Sequence, residues 1–190
     1  GQDLVYVAMA SGISGTYQAA LLAKQELEEE FPDRCVYIID SKGCGFGGGM
    51  LVLRAVELSR QGLSAREAGQ ILDGEVPHIC QYFTVDDLNF LKRSGRVSGA
   101  AAAIGTVLNI KPILYGSADG HIVACGKVRG RKKAIDTLVE TYAKKQVDAA
   151  NHLVAISHGD CLADAQLLAE KVRAVAAPKD LLIVPHEPFS

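Results

Sequence analysis

Short continuous apolar runs, separated by stretches of helical periodicity, constrain the fold of this chain more than any other feature of its sequence. Three such runs lie in its first half: "LVYVAMA" at residues 4–10, "CVYIID" at 35–40 and "HICQYFTV" at 78–85. Runs of this length and composition are typical of strands that are buried on both faces. They therefore predict three strands of a sheet whose faces are covered by helices.

Helical patterns fill the intervals between these strands. Apolar residues recur at helical spacing over residues 14–31, and a second helix is predicted over residues 49–61. The sequence "SARE" has the form of a capping box, in which Ser64 caps a third helix and Glu67 reaches back to it. The resulting order β-α-β-α-α-β favours a mostly parallel sheet flanked by helices, which is an α/β fold.

The second half of the chain has a different pattern. "IKPILYGSADGHIVACGKV" predicts a hairpin, because Asp119-Gly120 suits a turn with positive φ between two β-rich runs. We expect a second α/β domain over residues 86–190, with a smaller mixed sheet that contains this hairpin, after a first domain over residues 1–85. Its other predicted elements are helices in 86–96 (capped by Asp87), 98–109 (small residues), 131–145 and 160–175 (capped by Asp160), and strands at 152–158 and 180–185.

Composition excludes several classes of protein. The net charge of −2 over 190 residues argues against a general nucleic-acid binder. No apolar run reaches the length of about 18 residues that a membrane-spanning helix needs, so no stable membrane insertion is expected. The five cysteines are scattered and form no C-x-x-C pair, and the histidines show no metal-site spacing. We expect reduced thiols, a cytoplasmic protein, no metal and no cofactor.

A turn rich in serine and glycine joins the first predicted strand to the first predicted helix. Glycine allows close approach of a backbone to a ligand, and a helix N-terminus favours anions such as a carboxylate or a phosphate. Ser11 and Ser14 could add hydroxyl donors to such a site. The alternative is that Ser14 only caps the helix and that the glycines only shape the turn. The spacing fits neither a G-x-S-x-G elbow nor a Walker A loop.

Two further loops follow predicted strands, "DSKGCGFGGG" and "TVDDLN". Ligands gather at the carboxyl ends of the strands of an α/β sheet, so all three loops could converge on one rim. Gly43, Gly45 and Gly48 match G-x-G-x-x-G, but no acidic residue stands at a strand end about 20 positions further on. Close packing of this loop against a neighbour or an apolar ligand fits better than a dinucleotide site.

Basic residues cluster in "KVRGRKK" and "LKRSGR". Cations at the start of a helix oppose its dipole and repel each other, so the first cluster could serve an external anion. That anion would be a phosphate-bearing ligand or an acidic partner. The alternative is an ordinary solvated surface.

Five stretches together cover most of the chain: "SGISGTYQAA", "DSKGCGFGGGMLVLRA", "FTVDDLNFLKRSGRVSGAAAAIGTVLNIKPIL", "DGHIVACGKVRGRKKAIDTLVE" and "ISHGDCLADAQLLAEKV". In these stretches and in their order, the chain resembles the DegV family of bacterial fatty-acid-binding proteins. The resemblance implies two α/β domains with a long-chain fatty acid (C14–C18) between them. It also implies a carrier rather than an enzyme, which presents the acyl carboxylate to a fatty acid kinase that makes acyl-phosphate for phospholipid synthesis.

The resemblance assigns roles to three groups of residues. They are the carboxylate ligands Ser11, Gly12 and Ser14, the acyl-tunnel residues Phe46, Gly48, Ala101 and Ile104, and the cations Arg96, Arg129 and Arg131, which face the phosphate or the kinase. The family also has a preceding strand and a closing histidine segment that this chain does not match. The chain therefore resembles a central fragment, and His186 is not given the role of that histidine.

Two other functions remain as alternatives. A phosphotransfer enzyme of a related two-domain fold would need carboxylates that bind Mg²⁺ near a phosphate loop, and Asp40, Asp86 and Asp87 are the candidates at predicted strand ends. A DNA-binding regulator would use "KVRGRKK", although the chain has no helix-turn-helix signal.

Overall fold

The computed structural model describes residues 2–97 and 109–186. The chain divides into two compact units, of which the first is Gly1–Gln81 with Gly116–Val123 and the second is Tyr82–Tyr115 with Ala124–Ser190. Both units combine helices and strands, which confirms the predicted α/β class. The domain boundary near residue 85 stays a prediction. A short segment of the predicted hairpin, Gly116–Val123, belongs to the first compact unit.

The first unit contains a parallel pair of strands and three helices. Strands β1 (Leu4–Ala8) and β2 (Val36–Asp40) pair residue by residue, from Leu4 opposite Val36 to Ala8 opposite Asp40. The helices are α1 (Thr16–Glu30), α2 (Phe46–Arg60) and α3 (Ala65–Glu75). The order along the chain is that of a βαβ unit, as the alternation of apolar runs predicts.

The core of the first unit lies between β2 and the helices α2 and α3. Its buried members are Ile39, Leu51, Leu58, Ala68 and Leu72. Helix α3 begins at the predicted capping box, which is confirmed: the backbone N–H of Glu67 donates to Ser64 Oγ over 3.3 Å, and the N–H of Ser64 donates to the Glu67 carboxylate over 2.9 Å. The cap fixes the start of the helix that carries Ala68 and Leu72 into the core.

Within the described residues, the second sheet has three strands, in the order β3 (Tyr82–Thr84), β4 (Ile110–Gly116) and β5 (Ile122–Arg129). Strands β4 (Ile110–Gly116) and β5 (Ile122–Arg129) are joined by the predicted turn, in which Gly120 has a φ of +82°. Strand β3 (Tyr82–Thr84) pairs antiparallel with β4, with Tyr82 opposite Tyr115, and these two rings stack at 5.8 Å. The prediction of a third strand over 78–85 in the first, parallel sheet is therefore wrong. An apolar run predicts a strand but does not specify the strand with which it pairs.

The other α-helices and strands in the described part of the second unit are α4 (Leu88–Ser94), α5 (Arg131–Lys145), α6 (Leu162–Val175) and the parallel strands β6 (Leu153–His158) and β7 (Asp180–Pro185). Asp87 caps α4 as predicted, because its carboxylate accepts from the N–H of Asn89 over 2.8 Å. The predicted cap of α6 at Asp160 is wrong. The N-cap residue is Cys161, and Asp160 has a φ of +54° in the preceding turn.

Three sequence predictions have simple outcomes. The small-residue helix predicted over 98–109 falls, except for Asn109, outside the described residues. All five cysteines are free thiols. Within the described ranges, no helix is both long and apolar enough to cross a membrane.

Candidate functional site

The carboxyl ends of β1 and β2 bring two of the predicted loops together. Ala8 and Asp40 are paired at the end of the two strands, the N–H of Ser41 donates to the carbonyl of Ala8 over 3.2 Å, and the N–H of Ala10 donates to the carbonyl of Gly43 over 2.8 Å. The turn after β1 and the loop after β2 therefore lie side by side. The third predicted loop, "TVDDLN", follows β3, which pairs antiparallel with β4, so the expectation that it follows a strand of the parallel sheet is wrong. Its convergence with the other two loops stays a prediction.

Ser11 contacts a lysine-aspartate pair from the neighbouring loop. The ammonium of Lys42 donates to Asp40 Oδ2 over 2.7 Å and to Ser11 Oγ over 3.3 Å. Asp40 Oδ1 accepts from the backbone N–H groups of Ser11, at 3.1 Å, and of Lys42, at 3.2 Å. Lys42 is absent from the ligands that the sequence predicts. Its only sequence signal is its position two residues after Asp40, beyond the end of a buried strand.

Asp40 carries a negative charge in this cluster. Its side chain is 11% exposed. Burial raises the pKa of this carboxyl, but the hydrogen bonds from Lys42 and Ser11 lower it, and the net result is a pKa below the ordinary value of 3.8. At neutral pH the pair therefore consists of a carboxylate and an ammonium in contact.

The backbone N–H groups of the turn after β1 are largely used inside the protein. Those of Ile13 and Ser14 both lie 3.1 Å from the carbonyl of Ala10, and that of Thr16 donates to Ser14 Oγ over 3.3 Å. The predicted helix start at Ser14 is wrong by two residues, since the N-cap of α1 is Gly15 and no side chain caps it. An anion at this turn would therefore be held by side chains more than by the amides of the helix terminus.

Gly12 is fixed by a close contact with the hairpin tip. A Cβ atom at this position would lie 2.7 Å from the carbonyl carbon of Gly120 and 2.9 Å from the carbonyl oxygen of Asp119. The space above Gly12 is thus filled by the backbone of the same unit. This close backbone contact explains why position 12 has no side chain, without any contact to a ligand.

The glycine-rich loop after β2 packs against Gln81. A Cβ atom would lie 2.0 Å from Gln81 Nε2 at Gly43 and 1.7 Å from it at Gly47, and the N–H of Cys44 donates to Gln81 Oε1 over 3.4 Å. The sequence predicts close packing of this loop against a neighbour or an apolar ligand, and at Gly43 and Gly47 the structure shows a neighbour. The neighbour is a glutamine side chain that the sequence alone did not single out.

One side of α2 is apolar and solvent-accessible. Phe46, Gly49, Leu53 and Val56 share this side by helical spacing, and Leu53 and Val56 are 44% and 42% exposed. The buried residues of α2 lie on the opposite side of the helix. Of the predicted tunnel residues, Phe46 and Gly48 are half-buried in the first turn of α2, whereas Ala101 and Ile104 lie outside the described residues.

Arg131 is bound to carboxylates of its own unit. Its guanidinium lies 2.6 Å from Asp86 Oδ1 and 3.3 Å from Asp164 Oδ2, and Lys111 Nζ lies 2.5 Å from the same oxygen of Asp86. The hydrogen bond from Lys111 and the charge of Arg131 lower the pKa of Asp86 in spite of its partial burial. The cluster ties the start of α5 to β4 and to α6, so much of the charge of Arg131 is compensated internally.

The other predicted docking cations are more accessible. Arg129 ends β5 and is exposed, and Arg96 is exposed after α4, where its guanidinium donates to the carbonyl of Ser94 over 2.5 Å. Asp86 and Asp40 have cationic partners and Asp87 caps a helix, so each carboxylate that the phosphotransfer alternative needs already has a structural partner. Among residues 2–97 and 109–186, no three His, Cys, Asp or Glu side chains form a cluster that could hold a metal ion.

The fold and the site define a two-unit α/β protein with a serine, a lysine and an aspartate at the end of its first parallel strands. The family model described as "Uncharacterised protein, DegV family" matches residues 1–189. The chain belongs to the DegV family, as its resemblance predicts.

Individual relatives agree with this assignment. A DegV domain-containing protein of Clostridium perfringens is 39% identical over 183 residues, which cover 96% of this chain and 63% of that protein. The crystal structure of a DegV family protein from Ruminococcus gnavus with vaccenic acid has a TM-score of 0.91 and 25% identity, and the match covers 100% of this chain and 67% of that one.

A further solved relative is named for a kinase system. The fatty acid kinase (Fak) B3 protein of Streptococcus pneumoniae, loaded with linoleic acid, has a TM-score of 0.88 and 25% identity over 97% of this chain and 65% of its own. Solved relatives of this chain thus bind fatty acids. The chain spans a little under two thirds of the length of the curated relatives it matches, 63–64% for the first of them.

Proposed function

We propose that this chain is a carrier that binds one long-chain fatty acid and catalyses no reaction on it. The observation that carries the proposal is the Ser11 hydroxyl 3.3 Å from the Lys42 ammonium, at the end of a strand, in a fold whose solved relatives hold vaccenic and linoleic acid. A hydroxyl and an ammonium both donate hydrogen bonds to a carboxylate. Ser11 is the principal ligand of the acyl carboxylate, with Gly12 and Ser14 beside it.

The acyl chain supplies most of the binding free energy. Transfer of a methylene group out of water contributes about 0.8 kcal/mol, so a C16 chain contributes on the order of 10 kcal/mol before ordering costs. The exposed apolar side of α2 supports this part of the proposal, because contiguous apolar surface marks ligand or partner contacts. Phe46 and Gly48 contact the acyl chain of the ligand. We extend the same role to Ala101 and Ile104 on the family resemblance alone.

The bound carboxylate is presented to a fatty acid kinase, which converts it to an acyl-phosphate for phospholipid synthesis in the cytoplasm. The name of the Streptococcus pneumoniae relative supports this step. Arg96 and Arg129 are exposed cations suited to an acidic or phosphate-bearing partner. Arg131 contributes less to this positive surface, because Asp86 and Asp164 compensate much of its charge.

Native mass spectrometry of the purified chain, before and after mild organic extraction, tests the binding step. We expect an extractable ligand with the mass of a C14–C18 fatty acid. A chain that carries no such mass, and that takes up no added palmitic acid, would contradict the proposal. The presentation step is tested by adding a fatty acid kinase and ATP to the loaded chain and trapping acyl-phosphate with hydroxylamine.

Single substitutions then separate the two serines. Ser11→Ala removes the proposed hydrogen bond to the charged carboxylate of the ligand. The affinity of this variant for palmitic acid should therefore be about tenfold lower than that of the parent chain. Ser14→Ala should have a smaller effect, because the Ser14 hydroxyl already bonds within the turn, 3.1 Å from that of Thr16. Ser59→Ala, on the exposed end of α2, is the matched control and should bind as the parent chain does. Equal affinities of all three variants would exclude Ser11 as a ligand.

A further inference from the structure

The proposed carboxylate site contains a negative charge of its own. Asp40 Oδ1 accepts the N–H of Ser11 over 3.1 Å, so a fatty acid carboxylate bound to the Ser11 hydroxyl lies close to the carboxylate of Asp40. Two carboxylates at such a distance repel each other, the more strongly in a partly buried site. Serine and aspartate alone would therefore favour a neutral head group over an anion.

The ammonium of Lys42 lies where it can reverse this preference. It is 2.7 Å from Asp40 Oδ2 and 3.3 Å from Ser11 Oγ. A ligand oxygen that accepts the Ser11 hydroxyl at about 2.7 Å then lies no further than about 6 Å from the ammonium. Among the described residues, Asp40 and Ser11 are the hydrogen-bond partners of Lys42 Nζ, and an ammonium has three donors.

We propose that Lys42 determines the preference of this site for an anionic head group, because its ammonium neutralises Asp40 and donates a hydrogen bond to the carboxylate held by Ser11. The inference rests on the proposed function, since it concerns the head group of the same ligand. The backbone of Lys42 agrees with it. Its φ of +52° is rare for residues other than glycine, asparagine and aspartate, and such conformations cluster at functional sites.

The test compares an acid with an alcohol of the same chain length. Equilibrium binding of radiolabelled tetradecanoic acid and 1-tetradecanol is measured on the parent chain and on Lys42→Met. We expect the variant to lose affinity for the acid by about tenfold and to keep its affinity for the alcohol. Lys24→Met is the matched control: Lys24 lies in the same unit, is 31% exposed against 35% for Lys42, and pairs with Glu28. It should bind both ligands as the parent chain does.

A double variant separates charge from folding. Asp40→Asn combined with Lys42→Met removes both charges, and an amide oxygen can still accept the N–H groups of Ser11 and of residue 42. Because the repelling carboxylate is gone, the double variant should regain part of the acid affinity lost by Lys42→Met. If Lys42 only supported the loop, the second substitution would restore nothing.

Each result has a definite meaning. Unchanged acid affinity of Lys42→Met, equal losses for acid and alcohol, or no recovery in the double variant would each overturn the role of Lys42. A parent chain that binds neither ligand would refute the proposed function itself, and the role of Lys42 would fall with it. A parent chain that binds the alcohol as tightly as the acid would refute the head-group preference while leaving a lipid-binding chain.

Discussion

The close approach of the hairpin tip to the turn after β1 predicts that Gly12→Ala destabilises the protein in the absence of any ligand. The added Cβ atom would lie 2.7 Å from the carbonyl carbon of Gly120 and 2.8 Å from its oxygen. Non-bonded carbon atoms ordinarily lie about 3.5–4.0 Å apart, so the two segments must separate by roughly 1 Å. The atoms that clash belong to the backbone and cannot rotate away, and overpacking of this kind costs about 1–3 kcal/mol.

Urea unfolding followed by far-UV circular dichroism measures this cost. We expect a lower midpoint with an unchanged slope, since the change affects stability and not the surface exposed on unfolding. In thermal unfolding the same cost corresponds to a decrease in Tm of roughly 2–12 °C for a chain of this length. Gly74→Ala is the matched control. Nothing lies within 4 Å of a Cβ at this position in α3, and alanine there should stabilise by about 0.5–1 kcal/mol.

Two results would refute the reasoning about Gly12. One is a variant that is as stable as the parent chain, which would mean that the hairpin tip is not held against the turn. The other is a loss of fatty acid binding at an unchanged free energy of unfolding. That result would return Gly12 to the role that the family resemblance assigns, close approach to the ligand.

Two further predictions follow from local contacts. Ser64→Ala removes the cap that accepts the N–H of Glu67, so the free energy of unfolding in urea should fall by about 1 kcal/mol, and an unchanged midpoint would contradict the capping role. The pKa of Asp40 is lower in the folded protein than its ordinary 3.8, so the stability it contributes is present above about pH 4 and is lost as the pH falls through the folded-state pKa. The decrease in the free energy of unfolding between pH 5 and pH 2 should therefore be smaller in Asp40→Asn than in the parent chain. Equal decreases would contradict the contribution of Asp40 to stability. Asp33→Asn in an exposed turn serves as the control.

The parts of the fold that short-range signals determine were predictable. The capping box at Ser64, the cap at Asp87 and the hairpin turn at Gly120 each depend on residues within a few positions of one another. In such cases one local geometry satisfies the backbone donors or permits the positive φ, and few residue types support it. The sequence therefore specifies these features before any tertiary contact forms.

Pairing between strands was less predictable. The run at 78–85 contributes only Tyr82–Thr84 to a strand, and its partner is the hairpin strand β4, not the parallel pair. The apolar character of Phe83 is compatible with either sheet. The choice depends on contacts with residues about 30 positions further along the chain, and no local pattern records them.

The candidate site was predictable in place but not in composition. Both loops at the ends of β1 and β2 follow from the strand order, yet Lys42 was not among the predicted ligands, because a lysine in a loop is ordinarily solvated and its positive φ has no sequence signature.

The glycines of these loops, by contrast, suggest contacts with a ligand at positions where contacts within the protein already explain the absence of a side chain. Gly12 admits the hairpin tip, and Gly43 and Gly47 admit Gln81, so these glycines serve contacts within the first unit. The amides of Ile13, Ser14 and Thr16 are likewise used inside the turn. The groups of this edge best suited to bind an anion are therefore the Ser11 hydroxyl and the Lys42 ammonium. This is why Ser11→Ala and Lys42→Met, and not the substitution of a glycine, directly test the proposed binding of a carboxylate.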